Sequence, residues 1–385
     1  MRWAALALWL LFGQSSDPVL ENVRKRVLED TQRMKRFTCR QTVTRVDSGK
    51  ILARTPACSE IIRNHDLRHS GSPLRAWDRL RLDVGIVDGR EVFSWAGAPN
   101  FEDDSRKIVP YGAFGTGDFG PFLAGIFGGK ATIQFLGEQR VAGRAIRQYS
   151  YTIPQEKSQY KVRTPVSRTV IVAHSGLFRL DPQKNDLIQL SVRSQELPTE
   201  LDNCQTITDI DYRRVRIGGA DALIPRESKL TVLHTDGVES KNTTVYSDCR
   251  EYVGESAIHF EEAAPGIGAD GRANRTMKIP GGLLFRARLL TPVDSDTAAA
   301  GDEFAAVLTT NLADRDGHIY APVGSKATGR LLQVGGSSAQ VLIKARLETI
   351  DVNGRVPVIS ENRWRFTKKR VVLKNDVRDW ITAEP

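Results

Sequence analysis

The chain has 385 residues, 40% hydrophobic and 26% charged, a globular composition that excludes a disordered chain, a collagen and a coiled coil. At roughly 150 residues per domain the length predicts two or three domains. Thirty-two Gly and 17 Pro suit a loop-rich β protein better than a helical bundle, and 55 Lys+Arg against 46 Asp+Glu give a net charge of +9.

Met1-Arg2, the apolar run Trp3 to Phe12 and the exit Gly13-Gln14-Ser15-Ser16 are the three parts of a secretory signal, which is placed at 1–16. The run is too short to span a bilayer, which takes about 20 residues, and no Cys follows it to carry a lipid anchor. The mature chain is therefore expected to be exported, periplasmic or extracellular, with no transmembrane segment. Asp17-Pro18 then supplies an N-cap and a Pro at the first helical position. Val19, Leu20, Val23, Val27, Leu28 and Met34 share one face of a helix over 18–35. Its other face mixes acids and bases, which fits a helix lying on a sheet better than one lying on a membrane.

From Phe37 the hydrophobic period changes to two. Strands are predicted over Thr38–Val46, Arg79–Val87, Glu91–Trp95, Ala131–Leu136, Ile146–Ile153, Ser167–Ala173, Leu187–Val192, Ile207–Val215, Lys229–His234 and Thr243–Tyr246. Asp88-Gly89, Ser175-Gly176 and Asp236-Gly237 read as turns, and Phe119 to Phe127 as a short helix. Glu261 to Ala273 has linker composition, so the boundaries fall at 17–260 for an antiparallel meander and 261–275 for a linker. A second unit over 276–367 is read from Gly282–Leu289, Glu303–Leu308, His318–Ala321, Lys326–Val334, Ala339–Ile350 and Arg355–Val358 as a small barrel or sandwich. A charged tail occupies 368–385. The fold class is mainly β (α+β), an antiparallel sheet with a lead helix followed by a small C-terminal β unit.

Cys39, Cys58, Cys204 and Cys249 are an even set in an exported chain, which favours disulfides over free thiols. Of three connectivities the local one joins Cys39 to Cys58 and Cys204 to Cys249, worth about 3 and about 4 kcal/mol in chain entropy. Zinc is the rival reading, but there is no C-x-x-C pair and no His three to five residues from a Cys.

Motifs for chemistry fail on context. Gly115-Thr116-Gly117-Asp118-Phe119-Gly120 matches G-x-G-x-x-G, yet no hydrophobic strand precedes it and Pro121 follows at once, so it reads as a glycine-rich loop. Ala124 stands where a phosphate loop before Gly128-Gly129-Lys130 would need Gly. His65 and His69 are four apart but lack the Glu of a zinc helix. No G-x-S-x-G occurs, and Asp83, Asp88, Asp103, Asp104 and Asp118 are no more than acids in loops and strands. No catalytic, cofactor-binding or metal-ligating residue is assigned. Asn242-Thr243-Thr244 and Asn274-Arg275-Thr276 fit the glycosylation sequon.

Charge is more informative. Gln139 to Arg179 holds eight bases and one acid, Glu156, and Arg140, Arg144, Arg147, Lys157, Lys161 and Arg163 form a candidate basic face toward anionic lipid or polysaccharide. Arg363, Arg365, Lys368, Lys369, Arg370 and Lys374 form a second cluster. Nucleic acid is a poor partner for an exported chain with no recognition motif.

Arg36-Phe37-Thr38-Cys39-Arg40-Gln41-Thr42-Val43-Thr44-Arg45, Asp78-Arg79-Leu80-Arg81-Leu82-Asp83-Val84 and Ser247-Asp248-Cys249-Arg250-Glu251-Tyr252 resemble stretches of a group of uncharacterised exported bacterial proteins. A lead helix, a long meander and a mid-chain helix, with Gly176-Leu177-Phe178-Arg179-Leu180-Asp181-Pro182 before Leu187-Ile188-Gln189-Leu190, resemble the LolA-like periplasmic lipoprotein-carrier fold over residues 18 to 260. That resemblance implies an open half-barrel whose concave face holds an acyl chain or a partner. Ile279-Pro280-Gly281-Gly282, Leu289-Leu290-Thr291-Pro292-Val293-Asp294-Ser295, and Ala321-Pro322-Val323-Gly324-Ser325 with Gly329-Arg330 resemble the small barrel of TrbI-type conjugation-channel proteins. This chain lacks their transmembrane and proline-rich segments, so a protein-contact barrel is all that is implied. The leading expectation is a non-catalytic envelope protein that binds a hydrophobic or lipidated ligand, or a protein partner, on a curved sheet. A structural or adhesion module bridging envelope components is the second reading. The third is an exported hydrolase, which would need acids or a Ser/His pair converging near the Gly112–Gly120 loop.

Overall fold

Period-two alternation resolves into one large antiparallel sheet. The computed structural model describes residues 17–33, 37–49, 56–67, 73–87, 90–163, 169–251, 285–352, 364–368 and 372–373. The signal segment 1–16, the linker 261–275, the strand expected at Arg355–Val358 and Asn274 lie outside the described residues. The first unit runs α1 (Pro18–Arg33), β1 (Phe37–Ser48), α2 (Cys58–Leu67), β2 (Leu74–Val87), β3 (Arg90–Trp95), α3 (Pro121–Gly125), β4 (Thr132–Val141) and β5 (Arg144–Ile153). It continues with β6 (Lys161–Arg163), β7 (Thr169–Ile171), β8 (His174–Asp181), β9 (Asp186–Ser194), β10 (Asn203–Ile217), β11 (Ala220–His234) and β12 (Glu239–Glu251). The second unit holds β13 (Ala287–Leu289), β14 (Val293–Asp294), β15 (Glu303–Leu308), β16 (Leu312–Ala313), β17 (Ile319–Ala321), β18 (Lys326–Gly336), β19 (Val341–Ile350), β20 (Trp364–Lys368) and β21 (Val372–Leu373). The last two carry ordered strand pairing into the predicted tail, where Val372 pairs with Asp294.

The order β13-β15-β18-β2-β1-β12-β11-β10-β9-β8-β5-β4 forms the spine of a 15-stranded sheet. Its two ends do not pair with each other, so the sheet is open rather than a closed barrel among the described residues. Register lines up one row on the inner face: Val43, Thr244, Ser228, Ile210, Leu190, Phe178, Tyr149 and Phe135 are successive cross-strand partners. Side chains two residues away share that face. The row is aromatic and aliphatic at the β4 end and hydroxylic at β11 and β12.

Three corrections follow from this packing. Ser175-Gly176 is no turn but part of β8. A Cβ on Gly176 would collide with the Ser191 carbonyl and the Tyr151 ring, and the Tyr151 hydroxyl donates to that same carbonyl at 3.1 Å. The glycine serves close packing, and the turn falls after Asp181. Disulfides form, but not locally: Cys39 joins Cys249 and Cys58 joins Cys204. Antiparallel pairing of β1 with β12 brings Thr38 opposite Arg250 and sets Cys39 beside Cys249, while α2 lies on the start of β10. Finally, α2 has no counterpart among the predicted elements. Its signal was Cys58, Ile61 and Ile62 at i, i+3, i+4 after Pro56, a pattern short enough to pass for a loop.

Candidate functional site

The inner face at the β5, β8, β9 and β10 end is built from Tyr149, Tyr151, Ile153, Phe178, Leu180, Leu190, Val192, Ile210 and Tyr212, all buried in one cluster. Each such side chain contributes about 1.5–3 kcal/mol on burial. Tyr149 stacks on Phe178 at 5.1 Å with planes 9° apart, and Phe127 meets Phe178 edge-on.

Two segments of the chain cover this surface. One is α1, which buries Val23 and Val27 against it. Asp17 holds its first turn: Oδ1 accepts from Val19 N at 3.0 Å and from Arg147 Nη1 at 2.8 Å, and Oδ2 accepts from Tyr149 Oη at 2.6 Å. The predicted N-cap therefore also fastens the helix to β5. At the other end Arg214 donates to Asp30 at 2.8 Å and to Asp186 at 2.8–2.9 Å. Asp30 is buried, and that burial raises its carboxyl pKa against the pull of Arg214. The second cover is a strap from Tyr111 to Lys130 that contains α3 and a π-turn over Ile126–Lys130, with Gly129 at φ +88°. Its Phe122, Leu123, Ile126 and Phe127 point into the same cluster.

The strap is fastened by polar contacts along the sheet. Arg45 Nη1 donates to Tyr111 O at 2.5 Å, and Asn242 Nδ2 donates to Ala113 O at 2.7 Å. Gly117 N and Phe119 N donate to the two oxygens of Glu91 at 2.7 and 3.1 Å. Successive backbone N–H groups that converge on an acceptor form a nest, so the glycine-rich loop does gather donors on a carboxyl group, and it is the chain's own Glu91. Asp118, 5% exposed, accepts from Tyr246 Oη at 2.6 Å, and its carbonyl accepts from Tyr212 Oη at 2.8 Å. Burial, with Asp118 nearby, pushes Glu91 up to about 7 against those N–H groups. Burial raises Asp118 also, opposed by Tyr246 and Ser228.

Glu91 and Asp118 do converge at the Gly112–Gly120 loop, but both are taken by the chain's own N–H and O–H groups. Among the described residues two Ser/His pairs occur, and neither assembles a hydrolytic relay. Ser240 Oγ donates to Asp47 Oδ1 at 2.6 Å and lies 2.8 Å from His234 Nε2, so the acid takes the serine proton instead of orienting the imidazole. Ser158 Oγ lies 3.2 Å from His174 Nδ1. That ring is 4% exposed and its Nε2 meets no hydrogen-bond partner among the described residues. Burial lowers its pKa. His65 pairs with Glu239 at 3.2 Å, and His69 lies outside the described residues. Asp83 pairs with Arg40 and Asp104 with Arg106. Asn242 is buried in β12, closed to glycosylation in the folded chain.

The six candidate basic residues divide into two groups. Arg140, Arg144 and Arg147 sit at the β4–β5 hairpin end, where Arg147 is paired with Asp17 and Glu138. Lys157, Lys161 and Arg163 lie beyond the other end of β5, about 30 Å away for a strand of that length, with Arg163 on Asp104. Among the described residues no helix is long and apolar enough to cross a membrane.

No family model and no curated protein matches the chain. Among solved structures it is similar to a DUF1329 family protein from Desulfovibrio piger, at 13% identity over 64% of this chain and 98% of that one, TM-score 0.32. It is also similar to a putative outer membrane lipoprotein-sorting protein domain from Vibrio parahaemolyticus, at 9% identity over 61% and 95%, TM-score 0.29. A LolA superfamily protein from Nitrosomonas europaea follows at 10% identity over 59% and 92%, TM-score 0.25. The TrbI-type resemblance has no counterpart among these three. At such identities and TM-scores the likeness carries no function to this chain, whose role has to be read from its own geometry.

Proposed function

We propose that the chain is an exported, non-catalytic envelope carrier whose curved sheet receives an acyl chain or lipidated ligand on its inner face. The observation that carries this reading is the aromatic surface around Tyr149, Tyr151 and Phe178, covered chiefly by α1 and the strap among the described residues. Those covers are held by their buried apolar side chains, Val23 and Val27 on α1 and Phe122, Leu123, Ile126 and Phe127 on the strap, and by polar contacts near their ends. The face is filled by the chain's own side chains, so the reading requires α1 to lift before a ligand can enter. Two disulfides fit the oxidising compartment that such a role requires.

The test uses the full chain and the variant Asp17→Asn/Asp30→Asn, which weakens both ends of α1. Lipid extraction with mass spectrometry should find bound acyl lipid. Dansyl-undecanoic acid should bind the variant about tenfold more tightly, the effect of shifting a closed–open equilibrium by about 1.4 kcal/mol. Folded wild-type and variant proteins that both come without lipid and both ignore the dye would overturn the reading.

A further inference from the structure

The sheet ends at β4 in a longer free edge than at β13, β3 or the five-residue β20, which pairs with β19 alone among the described residues. β13 is three residues long, and the outer side of β3 is bridged by Glu102, which exchanges backbone hydrogen bonds with Phe93 at 2.7 and 2.9 Å. β4 runs for ten residues, pairs with β5 on one side, and has no strand on the other among the described residues. Nearly every residue in it is exposed, including Phe135 at 47% and Leu136 at 49%. An edge of this kind is a ready template for another strand unless it is blunted by Pro, charged side chains, a bulge or shortness. Thr132 to Val141 contains neither Pro nor Lys. One bulge, between Phe135 and Gly137, interrupts it.

Charge and apolar surface together specify the visitor. Arg140 and Arg144 stand opposite Ala145 and Val141 at the hairpin end, and among the described residues no ion pair engages either one. Lys130 leads into the strand. Glu138, the one acid of β4, is taken by Arg147. Phe135 packs on Tyr149 with ring centroids 5.2 Å apart and lies under the Arg147 guanidinium at 5.2 Å, so the exposed ring continues the buried aromatic row. A second copy would bring the same arginines and the same net charge of +9 to the contact. An acidic strand would neutralise them.

We propose that the free edge of β4 docks an extended acidic segment of a partner protein, which adds a strand to the sheet and covers Phe135. Main-chain hydrogen bonds supply the affinity in this mode, and alternate side chains supply the choice of partner. This docking does not depend on whether the inner face carries lipid.

The probe is a capped ten-residue peptide of alternating Val and Thr with Glu at both ends, titrated by fluorescence anisotropy against the full chain. A counterpart with Lys in place of Glu is the control. Binding of the Glu peptide should slow amide exchange across Thr132–Val141, weaken with salt, and fall about tenfold in Arg140→Glu/Arg144→Glu. Both substituted positions are exposed, so the variant is expected to fold, and its circular dichroism checks this. Equal binding of the Lys peptide, or protection that appears elsewhere, would overturn the proposal. So would protection of Thr132–Val141 that grows with protein concentration and needs no peptide, since a second copy would then be the occupant.

Discussion

Glu91 shows how a motif can be misleading in name and informative in chemistry. The sequence reads Gly115 to Gly120 as a loop, and it is one, but its N–H groups converge on a carboxyl group contributed by β3. Nothing in the spacing reveals this, because the partner is set by the register of β2 with β3, where Ile86 faces Glu91. The pair Glu91 and Asp118 should titrate together, and the direction is opposite to that of an ordinary paired carboxylate. A carboxyl raised from 4.5 to about 7 binds its proton more tightly in the folded chain than in the unfolded one. The contribution of Glu91 to stability is therefore fullest below pH 4.5 and declines as the pH climbs to 7, by on the order of 3 kcal/mol. Glu91→Gln keeps the shape and stays neutral. The difference in urea midpoint between wild type and variant should move in the variant's favour from pH 5 to pH 8. A constant deficit for the variant across that range would mean that the nest stabilises the ionised carboxylate.

Helices and crosslinks were legible to different degrees. The N-cap at Asp17 and the apolar face at Val23 and Val27 are local, and α1 forms where they indicate. Disulfide pairing is not local. Spacing favours Cys39 with Cys58, but strand order overrides it, since β1 lies between β2 and β12 and its partner cysteine stands at the far end of the meander. The resulting loops are long, with separations of 210 and 146 residues, and each alone would be worth about 5 kcal/mol in chain entropy. The second lies within the first, so together they contribute less than twice that. Non-reducing peptide mapping should recover Cys39 linked to Cys249 and Cys58 linked to Cys204. Removing the second pair by Cys58→Ser/Cys204→Ser should cost about 4 kcal/mol and accelerate amide exchange in α2, which otherwise rests on Leu233, Glu239 and Arg193. Fragments linking Cys39 to Cys58 would restore the local pairing.

At the scale of the molecule, composition divides the chain at 261–275, whereas its halves are joined by Leu80 on Ala300 and by charged residues that alternation reads as solvated. Arg79 and Arg81 occupy outward positions of β2, yet Arg79 donates to the Ser295 and Ala298 carbonyls and Arg81 to both oxygens of Asp302 at 2.5 and 2.6 Å. Arg330 is 5% exposed and donates to Ala96 O, Gly301 O, Glu303 and Glu348. β18 pairs with β2 through Gly335 and Gly336, where a Cβ would strike Trp77 or Gln340 backbone. A cleft of about 450 Å³ between Arg81 and the Thr291–Ala298 segment is walled by the same ion pair. Coupling of this kind predicts one cooperative thermal transition for the two hydrophobic clusters, although each has a core of its own. Asp302→Ala leaves the Arg81 guanidinium without its carboxylate, at a cost of about 1–3 kcal/mol. Arg330→Met removes the donors that Ala96 and Gly301 depend on. In the double variant the junction should yield before either core, and calorimetry should separate the transition into two. Two transitions already present in the wild type would mean that the arginines decorate the junction without coupling it. A single transition retained in the double variant would place the coupling in the backbone pairing of β2 with Ala300, Gly335 and Gly336 and in the packing of Ala300 on Leu80.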